Sequence, residues 1–176
     1  PIDDPRTKRS LETIQRSVHR MDRMIDDLLD MSSIHAGRLA IVPGPVDAAQ
    51  LVTEALEAIE PAARANQITL ERDVELDDVV VSCDRDRLLQ VLGNLLGNAI
   101  KFCAPGDRVT LRAHAGDHEV WFEVSDTGPG IATSDLPHVF EPYWSARPYV
   151  RQGSGLGLYI SRRLARPAVT GDRERG

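Results

Sequence analysis

Residues 91–102 read VLGNLLGNAIKF, a mostly apolar stretch that carries Asn94, Asn98 and Lys101. A helix turns about 100° per residue, so these three fall within roughly 60° of one another. Leu92, Leu95, Leu96, Ala99 and Ile100 cover the neighbouring arc and face a core. Gly93 and Gly97 lie on the other flank, where they leave room for a group to approach the backbone. The polar line therefore borders the apolar face instead of opposing it. Neutral amide oxygens suit a hard cation such as Mg²⁺, which takes oxygen ligands, keeps several waters and shares substrate phosphates. Lys101 can offset phosphate charge one turn away. The same amides can also be boundary residues bonded to nearby backbone, and this stretch alone does not choose between the two.

Two further segments carry chemistry. In EVWFEVSD, Val120, Phe122, Val124 and Asp126 share one face of a strand, because alternate residues point the same way. A carboxylate ending an apolar stripe needs a donor, and an exocyclic amine such as that of adenine would supply one. DTGPGI follows, and Gly128 and Gly130 permit the tight turn and backbone approach that a flat ligand requires. The alternative is an Asx-type turn at a strand end. The segment GSGLGL places Gly153, Gly155 and Gly157 just before a helix, where free amides and the positive end of the dipole make an anion site. It is not a P-loop, since no Gly-Lys-Ser/Thr follows. Nor is it the dinucleotide fingerprint, because position 158 is Leu158 and no strand precedes it. Alone it also reads as a hinge.

The positioning elements follow from periodicity and punctuation. Leu11, Ile14, Val18, Met21, Ile25 and Leu28 alternate in threes and fours, a bundle or coiled-coil seam on a helix from about Thr7 to Ala36, stopped by Gly37. A short strand is expected at Leu39–Val42, broken by Pro43-Gly44-Pro45. Asp47 caps a second helix reaching about Ala65. Strands are expected at Ile68–Val74 and Val79–Cys83, and Asp84 caps a helix through Phe102, with Arg87 where a capping box would want Glu or Gln. Val109–Ala115 and Glu119–Asp126 pair across a turn near Gly116-Asp117. Residues 127–154 form a long Gly-, Pro- and Ser-rich loop of the kind that serves as a lid. A last helix covers Leu156–Arg166 and ends before Pro167. The organisation is a helical arm over 1–38, an α/β domain over 39–166 and a tail over 167–176.

The chain has 176 residues, 41% of them hydrophobic, enough for one core with a helical appendage. The formal charge of −6 is spread over both signs and offers no basic patch for nucleic acid. No apolar run reaches the roughly 18 residues of a membrane span, so no direct membrane contact is expected. Cys83 and Cys103 lack metal spacing and read as ordinary thiols of a reducing, cytoplasmic compartment. A parent protein anchored in a membrane by another segment is compatible with this.

In order, NLLGNAIKF, DTGPGI, FEPYW and GSGLGL resemble the N, G1, F and G2 boxes of sensor histidine kinases, and RMIDDLLDMSSIHAGRL resembles the second helix of their dimerisation and phosphotransfer domain. The resemblance covers almost the whole chain. It implies an α+β fold: the GHKL-type ATP-binding two-layer α/β sandwich with a mixed sheet, preceded by a long bundle helix. It also implies ATP and Mg²⁺ as cofactors, with Asn98 as the metal ligand. By the same resemblance Asn94 and Lys101 contact phosphates and Phe102 lies near the nucleotide. Asp126 binds the adenine amine in a pocket shaped by Gly128 and Gly130. Gly153, Ser154, Gly155, Leu156 and Gly157 cradle the phosphates. Residues 131–152 resemble the ATP lid, anchored by Phe140 and Tyr143. Hydrolytic members of the superfamily place a glutamate at the position of Asn94; an amide cannot take a proton near neutral pH, which fits a kinase.

The resemblance implies transfer of the γ-phosphoryl group to a histidine and onward to the receiver domain of a response regulator, by a parent that is a homodimer through its helical bundle. Two pieces of the family pattern are not seen. There is no phosphoacceptor box, so no catalytic histidine is assigned and the chain by itself is expected not to autophosphorylate. The final strands after the last helix are also missing. His19 and His35 read as ordinary residues of the first helix, and His114, His118 and His138 have no ligand spacing. Asp22, Asp26 and Asp30 read as a solvated stripe on that helix. Two alternatives are a degenerate nucleotide-binding and dimerisation module without kinase activity, and a serine-directed anti-sigma-type kinase. The long heptad helix argues against the second.

Overall fold

The computed structural model describes residues 4–76, 79–116, 119–145 and 154–165. A long helix, α1 (Pro5–His35), opens it. Asp4 caps α1 by accepting from the Thr7 amide, and Gly37 ends it at φ +64°. The seam residues Leu11, Ile14, Val18, Met21, Ile25 and Leu28 are all between 45% and 58% exposed. The stripe read from the heptad pattern thus has no cover among the described residues.

Strand β1 (Gly44–Asp47) follows, then α2 (Ala48–Ala65), β2 (Thr69–Glu75), β3 (Val80–Cys83), α3 (Arg85–Phe102), β4 (Arg108–Ala115), β5 (Val120–Asp126) and α4 (Gly157–Leu164). The expected strand at Leu39–Val42 is displaced: the pairing segment begins at Gly44 and includes Pro45. The reason is the edge position of β1, which pairs with β3 alone, so that a residue without an N–H is tolerated there. Val42 instead gives its amide to the Asp84 carboxylate at 2.9 Å. Asp47 and Asp84 cap α2 and α3 as read, each accepting from the amide three residues on.

Strands β2, β4 and β5 form a mixed sheet, with β2 and β4 parallel and β4 and β5 antiparallel; β1 and β3 make a separate antiparallel pair. Val109, Leu111 and Ala113 of β4 point inward and are essentially buried. Leu51 and Val52 of α2 and Leu92 and Leu96 of α3 meet them in one core. The outer face of the sheet carries a charge ladder: Arg112 bonds Asp73 at 2.9 Å and Glu123 at 3.1 Å, and Arg108 bonds Glu71 at 3.2 Å. Such exposed pairs contribute little individually but agree with the register. The result is a two-layer sandwich whose α3 has one apolar side in the core and one polar side at its edge.

Candidate nucleotide site

Helix α3 presents Asn94, Asn98 and Lys101 in half-buried positions. They differ in what they touch. The Asn94 amide nitrogen donates to the Gly157 carbonyl and to Ser161 Oγ, both at 3.3 Å, and so binds α3 to α4. A methyl group on Gly157 would lie 3.2 Å from Asn94 Oδ1, so this glycine admits the close approach of the two helices. Among the described residues, the Asn98 carboxamide makes no hydrogen bond and Lys101 has no carboxylate partner. Burial holds the Lys101 pKa below its ordinary value, and its ammonium sits 4.7 Å over the half-exposed Phe102 ring. An amide and a cation one turn apart thus have no hydrogen-bond or ion-pair partner among the described residues. No group of three or more His, Cys, Asp or Glu side chains able to hold a metal occurs among the described residues.

Asp126 ends β5. One of its oxygens accepts the Gly128 amide at 2.9 Å, so the Asx-type turn is realised. The carboxylate is nevertheless exposed and able to accept from a ligand. A Cβ on Gly128 would sit 2.9 Å from Asp126 Oδ1 and 3.2 Å from Cys103 Sγ, and Gly130 adopts φ +70°. Cys103, read only as an ordinary thiol, lies beside Asp126; burial, then the nearby carboxylate, pushes its pKa up, so it stays protonated.

The glycine-rich segment enters α4. Gly153 lies outside the described residues. Ser154 Oγ accepts the Leu156 amide at 3.2 Å and donates to Asp27 Oδ2 of α1 at 2.5 Å. Leu156 is buried as a whole residue, at 1% exposure. Gly155 has φ +73°, and a Cβ there would meet the Tyr143 backbone at 2.9 Å. The Tyr143 amide donates to the Gly155 carbonyl at 2.9 Å, clasping the loop to the glycine segment. Phe140 lies under the Arg162 guanidinium, 5.2 Å from its ring. Arg147, Arg151 and the rest of the loop over 146–152 are outside the described residues.

The face of α1 toward this site was not legible. Asp30, read as part of a solvated stripe, is 7% exposed; Arg87 donates to it at 2.7 Å and Gln90 at 2.6 Å. The stripe reading fails because α3 supplies two donors that no local pattern announces. Asp22 and Asp26 are exposed as read. His35 donates to the Met31 carbonyl at 2.8 Å, an ordinary helix-end contact, and stacks on Tyr159. The His19 side chain and His118 fall outside the described residues, and His138 pairs with Glu141 at 3.0 Å. An open depression elsewhere, lined by Gln50, Thr53, Glu54, Glu57 and Arg85, holds none of the motif residues.

Residues 83–175 match the family of histidine kinase-, DNA gyrase B- and HSP90-like ATPases, and residues 2–37 match the His kinase A (phospho-acceptor) domain. The circadian input-output histidine kinase CikA of Synechococcus elongatus is 34% identical over 164 residues, covering 90% of this chain and 22% of its own. The virulence sensor protein BvgS of Bordetella pertussis is 36% identical over 174 residues, covering 93% and 14%. This chain therefore spans less than a quarter of either relative. Among solved structures, full-length ShkA in complex with AMPPNP superposes with a TM-score of 0.75 at 30% identity, over 92% of this chain and 34% of that one. The Acinetobacter baumannii histidine kinase AdeS gives 0.70 at 26% identity, over 92% and 73%. With its mixed sheet, its boxes in order and a long helix ahead of them, the chain belongs to the histidine kinase-, DNA gyrase B- and HSP90-like ATPase family.

Proposed function

We propose that this portion binds Mg·ATP and that its parent transfers the γ-phosphoryl group to a histidine, for relay to the receiver domain of a response regulator. The observation that supports the reading is the pair Asn98 and Lys101, one turn apart on α3, the first without a hydrogen bond and the second without a carboxylate partner among the described residues. Asp126 would accept from the adenine amine, with Gly128, Gly130 and Phe102 shaping that end. Lys101 and the segment Gly153–Gly157 would face the phosphates, and Asn94 would donate to them only by giving up its bonds to Gly157 and Ser161. A site with one neutral amide oxygen and no carboxylate cluster fits Mg²⁺, which takes its other ligands from phosphate and water. Asn98 would hold it, and the ion would supply charge neutralisation on the phosphates.

Phosphoryl transfer is mostly positioning and charge stabilisation. The chain's own part is to orient the nucleotide, offset its charge with Lys101 and offer no base for water, since Asn94 is an amide occupied in helix packing. The exposed apolar seam on α1 fits a second copy of the parent. No helix among the described residues is long and apolar enough to cross a membrane, and we place this portion of the parent in the cytoplasm.

Calorimetry tests the reading. ATP should bind in the presence of Mg²⁺, weakly without it, and weakly to Asn98→Ala. Folded chain that binds no nucleotide would support instead the degenerate dimerisation module. Phosphohistidine formed on the purified chain with ATP would show that the acceptor lies within it, against the expectation from its sequence.

A further inference from the structure

We propose that α1 and the nucleotide compete for the Ser154 hydroxyl, so that Asp27 restrains nucleotide binding and nucleotide loosens α1 from the domain. The proposal rests on the nucleotide reading of the glycine-rich segment. Ser154 is the hydroxyl of that segment, and its single proton is given to Asp27 Oδ2 at 2.5 Å. A hydroxyl has one proton to donate, so a phosphate oxygen can receive it only once Asp27 releases it. The arriving phosphate would also meet the Asp27 carboxylate, a like charge at close range. Asp27 is half-buried, and burial raises its pKa before any other cause.

What places Asp27 there is one face of the last turns of α1. Asp30 accepts from Arg87 and Gln90 of α3. Met31 Sδ accepts from the Tyr143 hydroxyl at 3.4 Å, and His35 stacks on Tyr159 of α4 with ring centroids 6.3 Å apart. Positions 27, 30, 31 and 35 recur at helical spacing, so one face of α1 touches α3, the loop and α4 together. Two other polar groups of the site, Asn94 and Asp126, bond to α4 and to the Gly128 amide and not to α1. The Asp27–Ser154 bond is the one described here that crosses from α1 into the cradle. Coupling through it is reciprocal: a ligand that breaks it weakens the hold on α1, and a force that draws α1 away opens the cradle by the same coupling.

The test is calorimetry of Mg²⁺ with a non-hydrolysable ATP analogue on the full chain. Asp27→Ala should bind at least about 5-fold more tightly than wild type. Asp22→Ala, which removes the same charge from an exposed site of the same helix, should match wild type. In a Ser154→Ala background the effect of Asp27→Ala should shrink to within about 2-fold. Amide exchange over the last turns of α1 should accelerate on adding the analogue. Should Asp27→Ala not fold by circular dichroism, Asp27→Asn takes its place with the same direction expected. Wild type that binds, with Asp27 variants binding equally or more weakly, overturns the proposal. Folded wild type and variants that all bind nothing overturn the nucleotide reading and this proposal with it.

Discussion

Asp30 and Arg87, 57 positions apart in the chain, meet at 2.7 Å across the boundary between α1 and the nucleotide domain. The carboxylate is almost enclosed, and Gln90 fills its other oxygen at 2.6 Å. Loss of the carboxylate would leave a half-buried guanidinium with only the Gln90 oxygen, at 2.9 Å, to accept from it. Asp30→Ala is expected to lower stability by about 2 kcal/mol, the scale of hydrogen bonds to charged groups. Urea unfolding would read this as a shifted midpoint, and amide exchange would rise first at the end of α1. An unchanged midpoint would show that the pair adds no net stability.

Asp126 can be tested without disturbing the fold, because it is exposed at the end of β5. Asp126→Asn keeps an oxygen for the Gly128 amide but replaces an acceptor by a donor toward an adenine amine. The affinity for ATP is expected to fall about 10-fold or more, with an unchanged melting temperature. Equal affinity by calorimetry would remove Asp126 from the nucleotide site.

Glycines of this chain should respond to alanine in opposite directions. Gly155 has φ +73° and no space for a Cβ, so Gly155→Ala should cost at least about 1 kcal/mol. Gly93 lies exposed on α3 with nothing within 4 Å of an added Cβ. Gly93→Ala should stabilise by up to about 1 kcal/mol through helix propensity. If Gly93→Ala stabilises yet weakens ATP binding, the open flank of α3 is where the ligand approaches.

Asp84 should give the fold an acid-labile element. Its carboxylate accepts from the Val42 amide and from the Arg87 amide, and these bonds, the first above all, hold its pKa below the ordinary value of 3.8. A carboxyl depressed in the folded state stabilises fully above its unfolded pKa and loses that contribution as pH falls through the folded one. Wild-type stability should therefore decline below about pH 4 more steeply than that of Asp84→Asn, as followed by urea midpoints. Parallel curves would contradict the assignment.

The caps at Asp47 and Asp84, the ends of α2 and α3, and the alternation of β4 and β5 were legible because each is a local matter. A cap bonds three residues on, a strand buries every second residue, and a helix shows its apolar arc within a few turns. The expected strand at Leu39–Val42 failed for a related reason. Its residues look like strand, but whether a segment pairs depends on which edge is free, and β3 offered its edge to Gly44–Asp47. Asp30 failed more completely, because burial of a carboxylate is decided by a donor 57 positions away.

By itself the sequence determined the elements other than β1, the apolar seam of α1 and the order of the polar and glycine-rich motifs, all carried by spacings of a few residues. The tertiary structure alone decided the parallel pairing of β2 with β4, the clasp of Tyr143 on Gly155 and the meeting of Asp27 with Ser154, 127 positions apart. Such pairs are selected by packing of whole elements: an aspartate on a helix carries the same local pattern whether it faces water or a serine of a distant loop, and only the docked face of α1 distinguishes the two.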